Sequence, residues 1–218
     1  MLTVHHLGRS QSERIVWLCE ELGLGYTLKV YDRDPVTRLA PADYKMLHPL
    51  GAAPVITDGP VQIAESAAIV DYIIHTHGGG RLAIAPGQPH YADYLYWFHF
   101  ANGSLQPVAG RIMMMRRLYP PADNPIIQAS EGRLNLALAM MDRRLADVPW
   151  LAGPDFTAAD IMSVFTLTTM RLFGAYDIAP YAHILAWLQR VGARPAYRRA
   201  MDKGDPGLTP MLTAANPA

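Results

Sequence analysis

Cysteine occurs once in the 218 residues, at position 19, so the chain can form neither an internal disulfide nor a CxxC pair for dithiol or zinc chemistry. No apolar stretch approaches the roughly 18 residues that a membrane-spanning helix needs. An excess of either charge is also missing. The 19 basic side chains balance 19 acidic ones, which leaves no global field to draw nucleic acid or an anionic lipid surface. Among the basic residues only Lys29, Lys45 and Lys203 are lysine; this arginine bias reflects genome composition rather than a phosphate-binding surface. The opening residues, MLTVHHLGRS, hold no cationic start followed by an apolar stretch and no small-residue cleavage site, so a reducing cytoplasm is the expected location. Neither nucleic acid nor membrane is an expected partner.

What the chain does contain is apolar mass: 50% hydrophobic against 17% charged residues, a balance that excludes intrinsic disorder. A domain usually takes about 100–150 residues, so two compact units are expected. LTVHHL at 2–7 reads as a short buried strand. After a break at 8–12, Ile15, Leu18, Cys19 and Leu22 recur at helical spacing, and YTLKVY at 26–31 alternates as a second strand. This βαβ order implies parallel pairing. Segments 54–57 and 61–64 flank Asp58-Gly59, a hairpin signal, and a helix over 65–77 is stopped by glycines 78–80. The order βαβ then ββα builds a four-stranded mixed sheet over 1–80. Residues 81–90 form a linker, and 91–218 lack strand signals and should be all helical.

In that second half the spacing predicts a helix over about 89–118, bent near Gly103 because Pro107 removes a backbone hydrogen bond. Further helices are expected over 125–147, 157–173, 180–192 and 195–202, then an irregular tail from Gly204. FTAADI at 156–161 reads as a folding device: Thr157 caps a helix, Asp160 returns to the Thr157 amide, and Phe156 staples against Ile161.

Two local features could carry chemistry. Pro54, in HPLGAAPVI at 48–56, begins the third strand. In cis it would turn the backbone of Ala53 outward to pair with an extended peptide-like ligand, although trans is the commoner state. Ala64-Glu65-Ser66 lies where strand yields to helix. The Ser66 hydroxyl and the free amides there could hold a carboxylate while Glu65 holds an ammonium, or Ser66 could simply cap the helix. His5-His6 and His75-x-His77 lack zinc spacing, so no metal is expected. Glu20-Glu21 reads as a solvated edge and Cys19 as a buried, inert thiol.

Taken in order, these pieces resemble the glutathione transferase family over nearly the whole chain. LGRSQSERIVWLCEELGL at 7–24 is similar to the strand–helix corner of its serine-type classes, with Ser10 four residues before Arg14. HPLGAAPVI looks like the family's NPxGxVPxL with its cis-proline, and Glu65-Ser66 looks like its ES pair. HFANGSLQP at 99–107 resembles a segment of bacterial and fungal members.

The resemblance implies a thioredoxin-like α/β domain followed by an all-α domain, with glutathione as cosubstrate and no permanently bound cofactor. It implies a homodimer that conjugates the glutathione thiolate to a small hydrophobic electrophile. Ser10 would be the catalytic donor to the sulfur, helped by Arg14, with Ser12 competing for the role. Ser10, Ser12, His48, Ala53, Pro54, Glu65 and Ser66 would bind glutathione. His48 stands where the family often has asparagine, and Ala52 where it often has a long polar residue, so one ligand contact is missing. Trp97, Phe100, Arg111 and Met114 would line the electrophile pocket. Rival readings are a glutathione-dependent peroxidase, dehalogenase or disulfide reductase on the same scaffold, or a non-catalytic interaction module.

Overall fold

The computed structural model describes residues 1–121 and 123–215. Strand β1 (Leu2–Leu7) runs parallel to β2 (Thr27–Tyr31), with helix α1 (Glu13–Leu22) as the crossover, and β3 (Val55–Asp58) and β4 (Val61–Ala64) complete a mixed sheet ordered β2-β1-β3-β4. The central position of β1 explains its nearly continuous burial, since a strand flanked on both sides needs apolar residues throughout. Edge strand β2 leaves most of its residues partly or fully exposed. The hairpin forms at the expected place, with Asp58 opposite Val61 and Gly59 at φ 57°. Only glycine adopts that turn conformation freely. The following helix, α3 (Ser66–Thr76), buries Ile69, Val70, Ile73 and Ile74.

A four-residue helix, α2 (Ala42–Lys45), lies in the proline-containing stretch that shows no periodicity. It exists to seat Tyr44, which is fully buried among Leu7, Tyr31 and Val55 and donates its hydroxyl to the His5 carbonyl. Tertiary packing rather than local propensity creates it.

In the helical part, the expected bend becomes a change of helix type. Helix α4 (Tyr91–Phe100) passes into a π-helical stretch, Ala101–Leu105, and then into α5 (Gln106–Arg116), with Pro107 in its first turn. Proline cannot donate to a carbonyl four residues back and its ring crowds that turn, so the helix widens into π geometry at the place where the bend is expected. After α6 (Pro125–Asp147) comes α7 (Ala158–Leu167), shorter than the sequence suggests. Thr168 donates its hydroxyl to the Val164 carbonyl and leaves helical geometry (φ −123°, ψ −100°), so residues Thr169–Leu172 continue as a 3-10 turn. Helices α8 (Ala182–Ala193) and α9 (Pro195–Gly204) follow. Among the described residues no helix is long and apolar enough to cross a membrane.

By packing, the chain divides into Met1–Ala83 with Gly192–Pro210, and Ile84–Val191 with the described residues from Met211 onward. The boundaries read from the sequence (1–80, 81–90, 91–218) differ from this division at α9, which packs on α1. That packing corrects the view of Glu20-Glu21 as a solvated edge. Arg194 grips Glu21 through two hydrogen bonds (2.6 and 2.8 Å), while Arg199 and Lys203 reach Glu20 at 3.0 and 2.6 Å. Trp17 and Tyr197 meet edge to face with centroids 4.9 Å apart. The described residues after Gly204 are irregular, as expected, and are tied back by side chains. Asp205 accepts from the Arg9 amide, and the buried Arg171 guanidinium holds the carbonyls of Thr213, Ala214 and Ala215. Residues 216–218 of the expected tail lie outside the described residues.

Candidate functional site

The turn from β1 into α1 carries three consecutive polar residues, Ser10, Gln11 and Ser12. Ser12 occupies the N-cap position of α1, yet its side chain makes no capping bond. Its fully buried hydroxyl turns back instead, accepting from the Leu7 amide (3.2 Å) and lying 2.9 Å from His6 Nδ1. Ser10 Oγ stands 2.7 Å from Ser12 Oγ and accepts from the Ser12 amide at 3.2 Å. A cap would satisfy a helix amide. These hydroxyls form a network of their own.

Arg14, on the buried face of α1, has no solvent exposure. Burial works against its charge, and neighbouring Glu13 offsets part of that effect. Its guanidinium donates to Gln11 Oε1 at 2.9 Å and to Ser66 Oγ at 3.0 Å, a contact spanning 52 positions in sequence. Arg14 therefore ties the β1–α1 turn to the start of α3 and places a positive charge behind Ser66.

The Ala53–Pro54 bond is cis, so the commoner trans state is not the one adopted. Ala53 lies beyond the last ladder pair, Val55 with Ala64, which leaves its backbone outside the sheet. At the opposite side of the hairpin, Glu65 holds φ 71°, ψ 111°, a conformation that costs a non-glycine residue about 1–3 kcal/mol and persists at sites where a side chain must be aimed. It exposes the Glu65 carboxylate while Ser66 stays buried at the first turn of α3.

One small cleft gathers Gln11, Ala52, Ala53, Pro54, Glu65 and Ser66, with Leu50 at its rim. Four residues named from the sequence thus meet at one place. His48 is not among that lining; its Nδ1 accepts from the Leu50 amide and its carbonyl from Gly51, so it shapes the loop that bears Leu50. Gln11 escaped the sequence reading because only the fold shows that its side chain turns toward Arg14. His6 and Asp205 escaped it too. The spacing of His5-His6 speaks only to metal binding, and in the structure His5 bonds Tyr31 and Thr57 while His6 faces Ser12 and Asp205.

Of the residues named for the electrophile, Trp97 and Phe100 are buried, their ring centroids 5.1 Å apart in edge contact. Arg111 and Met114 are exposed on α5. Cys19 is fully buried, and burial, with Glu20 nearby, pushes its thiol up to about 12. Among the described residues no cluster of three or more histidine, cysteine, aspartate or glutamate side chains could hold a metal ion.

A family model described as glutathione S-transferase, N-terminal domain, matches residues 9–76, and one described as glutathione S-transferase, C-terminal domain, matches residues 106–195. The chain is 33% identical to glutathione S-transferase 3 of Schizosaccharomyces pombe, across 93% of this chain and 88% of that one. It is 29% identical to a glutathione S-transferase of Hyoscyamus muticus, across 81% and 90% of the two chains. A crystal structure of a glutathione S-transferase from Actinobacillus pleuropneumoniae superposes with a TM-score of 0.86 at 31% identity, covering 97% of this chain and 95% of that one.

Proposed function

The chain belongs to the glutathione S-transferase family, and from that premise we propose that it conjugates the glutathione thiolate to a small apolar electrophile, with Ser10 as the donor that stabilises the sulfur anion. The observation that carries this reading is the single cleft lined by Ala53, Pro54, Glu65 and Ser66 together with Gln11, the neighbour of Ser10.

In this reading the γ-glutamyl end of the tripeptide lies at the start of α3. Glu65 meets the ammonium, and the Ser66 hydroxyl and first-turn amides meet the carboxylate, backed by the charge of Arg14. The cysteinyl backbone pairs with Ala53 as an added strand would. This leaves the thiol at the β1–α1 turn. A cysteine-like thiol with pKa about 8.5 is only a few per cent ionised at pH 7, and lowering it by two units takes about 2.7 kcal/mol of preferential anion stabilisation. A hydroxyl hydrogen bond and the positive end of α1 can supply that. Both serine oxygens are engaged and both residues are buried, but Ser10 keeps 5% exposure and Ser12 none, which favours Ser10.

Because Cys19 is enclosed and its thiol pushed up, any reductase or peroxidase turnover would also run through the glutathione sulfur. A homodimer in a reducing cytoplasm is the proposed working form, as the family likeness implies. The test is calorimetric titration with glutathione, plus turnover of a chlorodinitrobenzene acceptor, in wild type and Ser10→Ala. Retained binding with turnover reduced about 100-fold is expected, the equivalent of about 2.7 kcal/mol. No heat from wild type, or full turnover in Ser10→Ala, overturns the reading.

A further inference from the structure

Behind Ser10 lies a buried row of polar groups drawn from three separate parts of the chain. Asp205, just past the end of α9, puts Oδ2 3.3 Å from His6 Nε2. Both atoms are buried and neither has a hydrogen-bond partner, each other included, so the contact is electrostatic, an ion pair only while His6 carries both ring protons. The other carboxylate oxygen is fixed by the Arg9 amide at 2.8 Å. A Cβ at Gly204 would lie 3.1 Å from His6 Nε2, so glycine there allows the end of α9 to bring Asp205 in. His6 Nδ1 then lies 2.9 Å from Ser12 Oγ, which lies 2.7 Å from Ser10 Oγ.

We infer that the Asp205–His6 pair sets, through Ser12, the direction in which Ser10 points its proton, and so acts as a positioning device for the donor to the sulfur. This rests on Ser10 holding the thiolate, as proposed above.

Counting protons along the row shows why. Ser12 Oγ accepts from the Leu7 amide and lies 3.3 Å from the Leu7 carbonyl, a competing acceptor for its proton, while Ser10 Oγ accepts from the Ser12 amide; each hydroxyl oxygen has two acceptor sites and one proton. With His6 as imidazolium, Nε2–H faces Asp205 and Nδ1–H donates to Ser12. Ser12 then donates to Ser10, 2.7 Å away, over the longer 3.3 Å contact with the Leu7 carbonyl. Both oxygens are filled as acceptors, and the Ser10 proton is the one left over, free to point outward. With His6 neutral, the carboxylate keeps the remaining proton on Nε2, and Nδ1 becomes an acceptor. Ser12 now donates inward, Ser10 donates to Ser12, and the sulfur loses its donor.

The groups facing His6 are Asp205 from the segment after α9 and Ser12 from the start of α1. Arg33 bears electrostatically on Asp205, and the adjacent His5 is turned to Tyr31 and Thr57. Lys203, the nearest cation on α9 in sequence, is held by Glu20.

The experiment is the pH profile of kcat and KM for glutathione, with the thiolate absorbance of bound glutathione followed alongside. Wild type should lose kcat on the alkaline side as the Ser10 proton turns inward, toward the loss of about 100-fold expected for Ser10→Ala, with KM unchanged. In Asp205→Asn the amide oxygen stays on the Arg9 amide and turns the NH2 group toward His6 Nε2. That moves the imidazole proton to Nδ1 at every pH, so the alkaline fall should vanish. Ser12→Ala cuts the row without touching Asp205, carries the same expectation, and serves if Asp205→Asn does not fold. A wild type without the alkaline fall, or a fall that survives in these variants, overturns the inference. Undiminished turnover in Ser10→Ala would instead overturn the thiolate assignment itself.

Discussion

Two carboxylates, the fully buried Asp160 and the half-buried Asp205, one in each packing unit, show what their partners decide. Asp160 is fully buried in α7; Oδ1 accepts from the Leu151 amide (3.0 Å) and the Trp187 indole (2.9 Å), and Oδ2 from the Thr157 amide (3.1 Å). The Thr157 hydroxyl reaches Oδ2 only at 3.5 Å; the shorter bonds come from amide and indole N–H groups, which keep their protons, so the group organises structure. It joins the capping box of α7 to α8 and to the loop before it. Asp205 has one such fixed donor, the Arg9 amide, but its other oxygen faces a histidine that leads into two hydroxyls. Amide partners make a joint, whereas titratable and rotatable partners make a path along which proton positions can change.

Substitutions can break that contrast. Asp160→Ala strands at least three buried donors and should lower unfolding free energy by about 3–5 kcal/mol, read by denaturant or thermal melts. Ser10→Ala should do the converse: the turnover loss of about 100-fold given above, with a melting midpoint within a few degrees of wild type. An equal loss of stability would make the Ser10 cluster a joint like that of Asp160. Glu65→Gln removes the charge opposite the proposed ammonium and should weaken glutathione binding about tenfold, the scale of one charge-assisted hydrogen bond, measured by calorimetry. Unchanged affinity would remove Glu65 from the site.

The smallest effect concerns Glu20. Burial pushes its carboxyl up, but hydrogen bonds from Lys203, Tyr26 and Arg199 outweigh that and hold it below the usual glutamate range. A carboxyl held down in the folded state stabilises the protein above its unfolded pKa, and that contribution is lost as pH falls through the folded value. Glu20→Gln should therefore cost under about 1 kcal/mol near neutrality, because Arg199 and Lys203 are half exposed and screened. The gap between variant and wild type in melts should close as pH drops below the glutamate range.

Much of this was legible in sequence where the signal is local. The strand over 2–7, the Asp58-Gly59 hairpin and the box at Thr157 and Asp160 depend on neighbours within a few residues, and each forms where the pattern places it. Distant partners left no such trace. Glu20 and Glu21 look solvated until α9 brings Arg194, Arg199 and Lys203 over them. That Arg14 reaches Ser66, 52 positions away, is likewise invisible in the S-x-x-x-R spacing. Periodicity over 157–173 cannot report that the Thr168 hydroxyl prefers the Val164 carbonyl to a helical backbone.

By itself the sequence determined the order βαβ–ββα followed by helices, the positions of the turns, and the Ser10, Pro54 and Glu65-Ser66 pieces, since backbone sterics and hydrophobic spacing act over short stretches. Only the tertiary structure decided that Ala53–Pro54 is cis, that Gln11 joins the cleft, and that Asp205 comes to rest against His6. Those outcomes depend on burying polar groups whose partners lie far along the chain, and no local pattern encodes which of them will meet.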